Sequence, residues 1–216
     1  MTMLRKNTKG STITPQSLPG RIAVDRERLL GVAEYCLHDA DQIEEDRASW
    51  APAFWLVAAH GGAGASTLSQ MWAPAGDAGN LFPALDASPL VVIVCRPSKT
   101  GLEAAHRAVL QVLADEAGQC QLVGVVCVAD SAGKLPKPLA QKIRVIEEVT
   151  RVWHVPYMQS LRITDTDDLA VWSPDDPPME KPKKKRPVTT AVPHTIAAVG
   201  REIFTAAGTK NQEDWT

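Results

Sequence analysis

Residues 59–67 read "AHGGAGAST". Three glycines, Gly61, Gly62 and Gly64, run straight into a hydroxyl pair, Ser66 and Thr67. These residue types at this spacing suit a nest of closely spaced backbone N–H groups at a helix start, which together hold an anionic oxygen. Glycine serves there because it adopts positive φ and lets the backbone come close to a ligand. In a working phosphate loop a lysine adds a cation at the outer phosphates, and the Ser/Thr hydroxyl ligates Mg²⁺. Ala65 stands where that lysine is expected. The cradle is therefore read as Gly61, Gly62, Ala63, Gly64, Ala65, Ser66 and Thr67. Ser66 is the expected Mg²⁺ ligand of any nucleotide bound there.

A cradle of this kind needs a strand before it and a helix after it. Residues 54–59, "FWLVAA", supply the strand, and 66–72 open a short helix. Further strands are expected at 90–95 ("LVVIVC"), 121–129 ("QLVGVVCVA") and 152–157 ("VWHVPY"). The first three runs are near-continuously apolar, as strands are when helices cover both faces of a parallel sheet. Helices are expected over 100–117, with Leu102, Ala105, Val109, Val112 and Leu113 on one face, and over 137–151, with Leu139, Ile143, Ile146 and Val149. Strand and helix in alternation predict an α/β fold with a doubly wound, mostly parallel sheet and flanking helices. Ligands of such sheets bind outside the carboxyl ends of the strands. That edge carries Arg96 and Lys99 after the second run, and Asp130, Ser131 and Lys134 after the third. Arg96, Lys99 or Lys134 is the expected stand-in for the missing lysine, and Asp130 joins the nucleotide site.

The loop resembles the deviant Walker A loop of ParA/MinD-type (SIMIBI-class) P-loop proteins, "GKGGxGKT(T/S)". Gly61, Gly62, Gly64, Ser66 and Thr67 match that pattern. Ala59 replaces its first glycine, His60 its signature lysine and Ala65 its second lysine. "VVIVCRPSKTGLEAAHRAV", "VVCVADSAG" and "VWHVPYMQSLR" are similar to the later strand, base-contacting loop and base-pocket turn of the family, so the resemblance spans roughly residues 52–172. It implies ATP or ADP with Mg²⁺ as cofactor and dimerisation across the nucleotide face. It breaks between Thr67 and Leu90. There the family has two strands, one ending in aspartate and one carrying the acidic Walker B motif. One short helix and a Gly/Pro-rich loop are expected to fill this stretch, with Asp77 and Asp86 in turns, so the fold is truncated relative to the family. Phosphoryl transfer depends on positioning and charge neutralisation, and losing one such contact costs on the order of 10²–10³ in rate. With both lysines and the acid missing, no catalytic residue is assigned and no hydrolysis is expected.

The rest of the chain bounds the reading. A net charge of −2 over 216 residues, 44% of them apolar, gives no whole-molecule argument for nucleic acid. Residues 1–20 are expected to be a disordered tail, and 21–51 a helical segment with its helix over 24–46. The α/β domain is placed at 52–172, a Pro/Lys-rich linker at 173–187, and a C-terminal helix and tail at 188–216. That helix docks through Ile196, Val199, Ile203 and Phe204, and is broken or started near Pro193. The run "KPKKKRP" at 181–187 offers Lys183, Lys184, Lys185 and Arg186 to DNA phosphates, or else solubilises the linker.

Cys36, Cys95, Cys120 and Cys127 show no metal-ligand spacing, and Cys95 and Cys127 are expected to be reduced core thiols. His60 is expected to be a solvated turn residue or a ligand contact, and His106, His154 and His194 have no spaced partners. Trp50, Trp55, Trp72, Trp153 and Trp172 are core or rim anchors. No run nears the ~20 apolar residues that span a bilayer, and a cytoplasmic location is expected. Function then reads as a non-hydrolysing scaffold or regulator with a protein partner, in a partition, conjugation or secretion-type assembly. A weak NTPase completed by a partner and a DNA-binding accessory factor remain open.

Overall fold

The computed structural model describes residues 24–33, 52–84, 88–177 and 186–213. Five parallel strands form one sheet in the order β2-β1-β3-β4-β5. They are β1 (Phe54–Ala58), β2 (Ala75–Asp77), β3 (Leu90–Cys95), β4 (Gln121–Val128) and β5 (Val152–Val155). Four helices flank them: α1 (Ala65–Met71), α2 (Lys99–Leu113), α3 (Lys137–Glu147) and α4 (His194–Glu213). The architecture is α/β and doubly wound, and within 52–172 the strands and helices expected from the apolar runs lie where those runs place them, to within a few residues.

Alternate residues of each strand enter two cores. Phe54, Leu56, Val92, Val94, Val126 and Trp153 face α1 and α4, where Leu68, Ile196 and Ile203 are buried. Trp55, Val57, Val91, Ile93, Val125 and the two thiols Cys95 and Cys127 face α2 and α3, meeting Leu102, Val109, Ile143 and Ile146. Because both faces are covered, neither β1 nor β3 shows polar alternation. Trp55, Trp72, Trp153 and Trp172 are core residues; Trp50 lies outside the described residues. Val199 and Phe204 of α4 pack partly buried against the first core, and Phe204 sits 4.8 Å from Phe54, ring to ring.

Two helix faces are narrower than expected. Leu113 and Val149 are exposed, because α2 ends at Leu113 and α3 at Glu147. Ser98 caps α2 by accepting from the Gly101 N–H at 3.0 Å. Gly101 itself is needed there, since a Cβ would lie 2.6 Å from the Arg96 carbonyl.

Two further expectations are corrected. A strand does fit between Thr67 and Leu90: β2, which ends in Asp77 and pairs Phe54 with Ala75 and Leu56 with Asp77. Its sequence, Ala-Gly-Asp, carries no apolar signal, so pairing with β1 defines it. Gly76 permits the pairing, because a Cβ there would lie 2.5 Å from the Trp55 ring. Asp77 accepts from the Gly79 N–H at 2.9 Å and so closes its own turn. Asp86 lies outside the described residues.

The second correction is at the N-terminal side. Over 24–33 the expected helix is replaced by a 3-10 turn, Arg26–Arg28, and an extended stretch. Backbone bonds from Ala33 N to Phe82 O and from Phe82 N to Gly31 O, both 2.8 Å, hold that stretch. The buried Gln111 side chain bonds both the N–H and the C=O of Leu30. These partners engage the backbone groups that a helix would bond internally. Residues 34–46, with Cys36, lie outside the described residues, as do the tail 1–20 and most of the linker, 178–185. No helix among the described residues is long and apolar enough to cross a membrane.

Candidate functional site

The glycine turn forms at the carboxyl end of β1, beside β3. In a 2-1-3-4-5 order the crevice at a strand-order reversal lies between β1 and β3. Ala59 N bonds Val94 O at 2.9 Å and keeps the chain in the sheet until the turn begins. Ala63 N then bonds His60 O at 3.2 Å, and Leu68 N bonds Gly64 O at 3.1 Å as α1 starts. Gly62 and Gly64 have φ of 73° and 103°, so both need glycine's freedom. Gly61 has no such demand, and a Cβ there meets nothing within 4 Å. Ser66 is exposed at the helix start, and Thr67 is half-buried behind it.

Of the charges expected around this cradle, Arg96 is the one bonded to the loop itself. Arg96 donates from Nε to the Gly62 carbonyl at 2.6 Å, clamping the loop by its backbone. The Arg96 N–H donates to His60 Nε2 at 3.1 Å. That leaves the His60 proton on Nδ1, which donates to the Gly61 carbonyl at 2.9 Å. His60 is thus a half-buried latch joining the turn to β3, neither a solvated residue nor an open ligand contact. Ala63 and Ala65 are 1% and 3% exposed and belong to the core beneath α1 and α4. Lys99 is exposed on the first turn of α2, and its charge acts on Glu103 of the same helix.

Asp130, Ser131 and Lys134 gather elsewhere. They line a cavity of about 320 Å³ at the ends of β4 and β5, with Pro97, Leu139 and Ile143. Ser131 donates to the Asp130 carboxylate at 3.3 Å. The structure therefore joins Arg96 to the loop and places Asp130 and Lys134 in the wall of this second recess. Of the basic run, Arg186 is exposed, and Lys183, Lys184 and Lys185 lie outside the described residues.

Sequence reasoning missed what else lines that recess. Cys95, Cys127 and His154 are consecutive partners in the sheet register, Cys95 opposite Cys127 and Cys127 opposite His154. All three side chains leave the sheet on the α2/α3 face, near the strands' carboxyl ends. Cys127 and His154 both line the cavity. The Cys127 thiol is drawn below the ordinary thiol range, first by its hydrogen bond with Cys95 and then by His154, against burial and the Asp130 charge. Cys95 moves the other way, because it shares that bond and is buried. His154 is raised, chiefly by its interaction with Cys127, with Glu147 beyond it at 3.8 Å. His154, which has no partner by sequence spacing, thus has two in space, Cys127 and Glu147. The signal was present, since all three residues fall near the ends of successive expected strands. Among the described residues no cluster of three or more His, Cys, Asp or Glu side chains has the arrangement of a metal site.

The chain belongs to the DUF6668 family, a family of unknown function, whose model matches residues 52–171. The match covers all five strands and leaves α4 outside. No curated protein and no solved structure matches the chain.

Proposed function

We propose that this chain is a degenerate ParA/MinD-like P-loop protein that works as a non-hydrolysing scaffold or regulator with a protein partner. One observation carries the reading: the loop's neighbouring cation, Arg96, is tied to the Gly62 carbonyl, and the residue in the signature-lysine position, His60, is a backbone latch. Ala65, in the second lysine position, sends its methyl group into the core. A bound phosphate would rest on the loop amides and the Ser66 hydroxyl, which fit it. The residues present fit Mg²⁺-triphosphate chemistry poorly, because the two lysine positions hold His60 and Ala65 and the Nε of Arg96 is committed to the Gly62 carbonyl. Asp77, the nearest approach to a water-orienting acid in chain order, bonds its own turn.

The test is a steady-state hydrolysis assay of the purified chain with Mg²⁺ and ATP or GTP, beside calorimetric titration with ATP, ADP, GTP and GDP. The expected result is no turnover above background. Turnover of ~1 s⁻¹, within the ordinary enzymatic range, that is abolished by Gly64→Val overturns the reading.

The positive φ of Gly62 and Gly64 favours a second reading, in which the cradle still takes ATP or ADP and a partner completes a weak NTPase. Hydrolysis that appears only when the partner is added distinguishes it. DNA contact through 181–187 would give a salt-sensitive gel shift lost when Lys183, Lys184, Lys185 and Arg186 become alanine.

A further inference from the structure

The thiol at the end of β4 has a chemical setting that the glycine loop lacks, and it owes nothing to a bound nucleotide. Cys127 is 3% exposed and forms part of the wall of the 320 Å³ recess, the side from which a small molecule would approach it. On one side stands His154, half exposed, with Glu147 Oε1 at 3.8 Å from its Nε2. On the other stands Cys95, fully buried and directly opposite in the register. In-register neighbours on adjacent strands are separated by about 4.8 Å, inside the roughly 4.4–6.8 Å Cα range of disulfides. The charged groups facing the recess are Asp130 and Lys134 from the β4–α3 loop and His154 from β5.

We propose that Cys127 is a peroxide-reactive thiol, with His154 as its proton acceptor and Cys95 as its resolving partner, so that a small hydroperoxide converts the pair to a Cys95–Cys127 disulfide. In the first step the Cys127 thiolate attacks one peroxide oxygen. An S–O bond forms and the O–O bond breaks. The sulfur loses two electrons to the peroxide, and the leaving hydroxide takes the proton held on His154 to give water. In the second step the Cys95 sulfur attacks the sulfenic sulfur. The S–S bond forms, the S–O bond breaks, and the departing hydroxide leaves as water with the Cys95 proton. The depressed proton affinity of Cys127 and the raised one of His154 support this division of roles. Cys120, pushed up to about 11 by burial, is the unreactive contrast on the same chain.

The experiment treats the full chain carrying Cys36→Ser and Cys120→Ser with stoichiometric hydrogen peroxide and follows intact mass and peptide maps without reductant. The expected product has lost two hydrogens and links the peptides of Cys95 and Cys127. Cys95→Ser is expected to stop at one added oxygen that dimedone traps on Cys127. His154→Gln keeps the size of the side chain and is expected to slow the reaction by about tenfold or more. Far-UV circular dichroism establishes that each variant is folded. Iodoacetamide labelling of Cys127 in the unsubstituted chain gives a second measurement that needs no variant. Oxidation that spares Cys127, a rate unchanged by His154→Gln in a folded protein, or labelling of Cys127 no faster than of Cys120 overturns the proposal.

Discussion

The turn after β1 and the recess at the ends of β4 and β5 share one edge of one sheet, yet they differ in how their chemistry is assembled. The turn is local: nine consecutive residues make it, and its glycines advertise it. Its polar groups nevertheless bond one another, with Arg96 on Gly62 and His60 between Gly61 and Arg96. The recess is non-local, lined from positions 97, 127 and 154 that no short motif joins, with Cys95 buried behind Cys127 in the register. Its thiol and imidazole face a cavity. In the turn, the polar side chains serve the loop's own backbone. Side chains that look like core packing can become a reactive group once register sets them side by side.

The largest effect that would break or sharpen this contrast is in thiol reactivity. At pH 7 Cys127 is expected to be alkylated at least ~100-fold faster than Cys120, since the thiolate is the nucleophile. Because the Cys127 value is depressed, its rate should hold as pH falls from 8 and drop only through that depressed value. Mass-resolved iodoacetamide kinetics across pH checks both. Equal rates would return the recess to ordinary core.

Next comes the backbone of the turn. Gly64→Val places a β-branched residue at φ 103° and brings it against Val128, whose Cγ2 lies 3.7 Å from a Cβ there. A loss of ~2–3 kcal/mol in urea unfolding is expected. Gly61→Ala, with open space around it, should stay within ~0.5 kcal/mol. Arg96→Ala removes the clamp on Gly62 and should cost ~1 kcal/mol, while leaving calorimetric titrations with ATP and ADP unchanged from those of the native chain. A nucleotide signal present in the native chain and lost in Arg96→Ala would make Arg96 a ligand residue.

The smallest effect concerns the pairing of α2 with α3. Glu103 is held below its ordinary value by the hydrogen bond from Lys142. Its stabilisation is complete above the ordinary glutamate value of about 4.3 and is lost as pH falls through the depressed one. Glu103→Gln should therefore lower the melting temperature slightly at pH 7. That difference from the native chain should shrink as pH falls through the depressed value, which a series of thermal melts would follow.

How much of this was legible follows from where each signal resides. β1, β3 and β4 are continuous apolar runs because helices or loops cover both faces, so the sequence displays them. β2 is three residues of Ala-Gly-Asp, and only its partner β1 makes it a strand. The helical pattern at 24–33 is overridden by Gln111, which lies 81 residues from Leu30, and by the backbone of Phe82. The glycine turn was legible as geometry, down to the residues that need positive φ. The roles of His60 and Arg96 were not, because each depends on a bond across 36 or 34 residues. The thiols were read correctly as buried, but burial alone says nothing of the imidazole beside them.

The sheet's outermost members have a consequence for assembly. β2 contributes three residues and β5 four, so neither margin offers more than a few free amides to an incoming chain. Truncated margins of this kind resist growth by strand addition. Copies or partners that associate with this domain should therefore meet it through helices and loops, leaving the ladder at five strands.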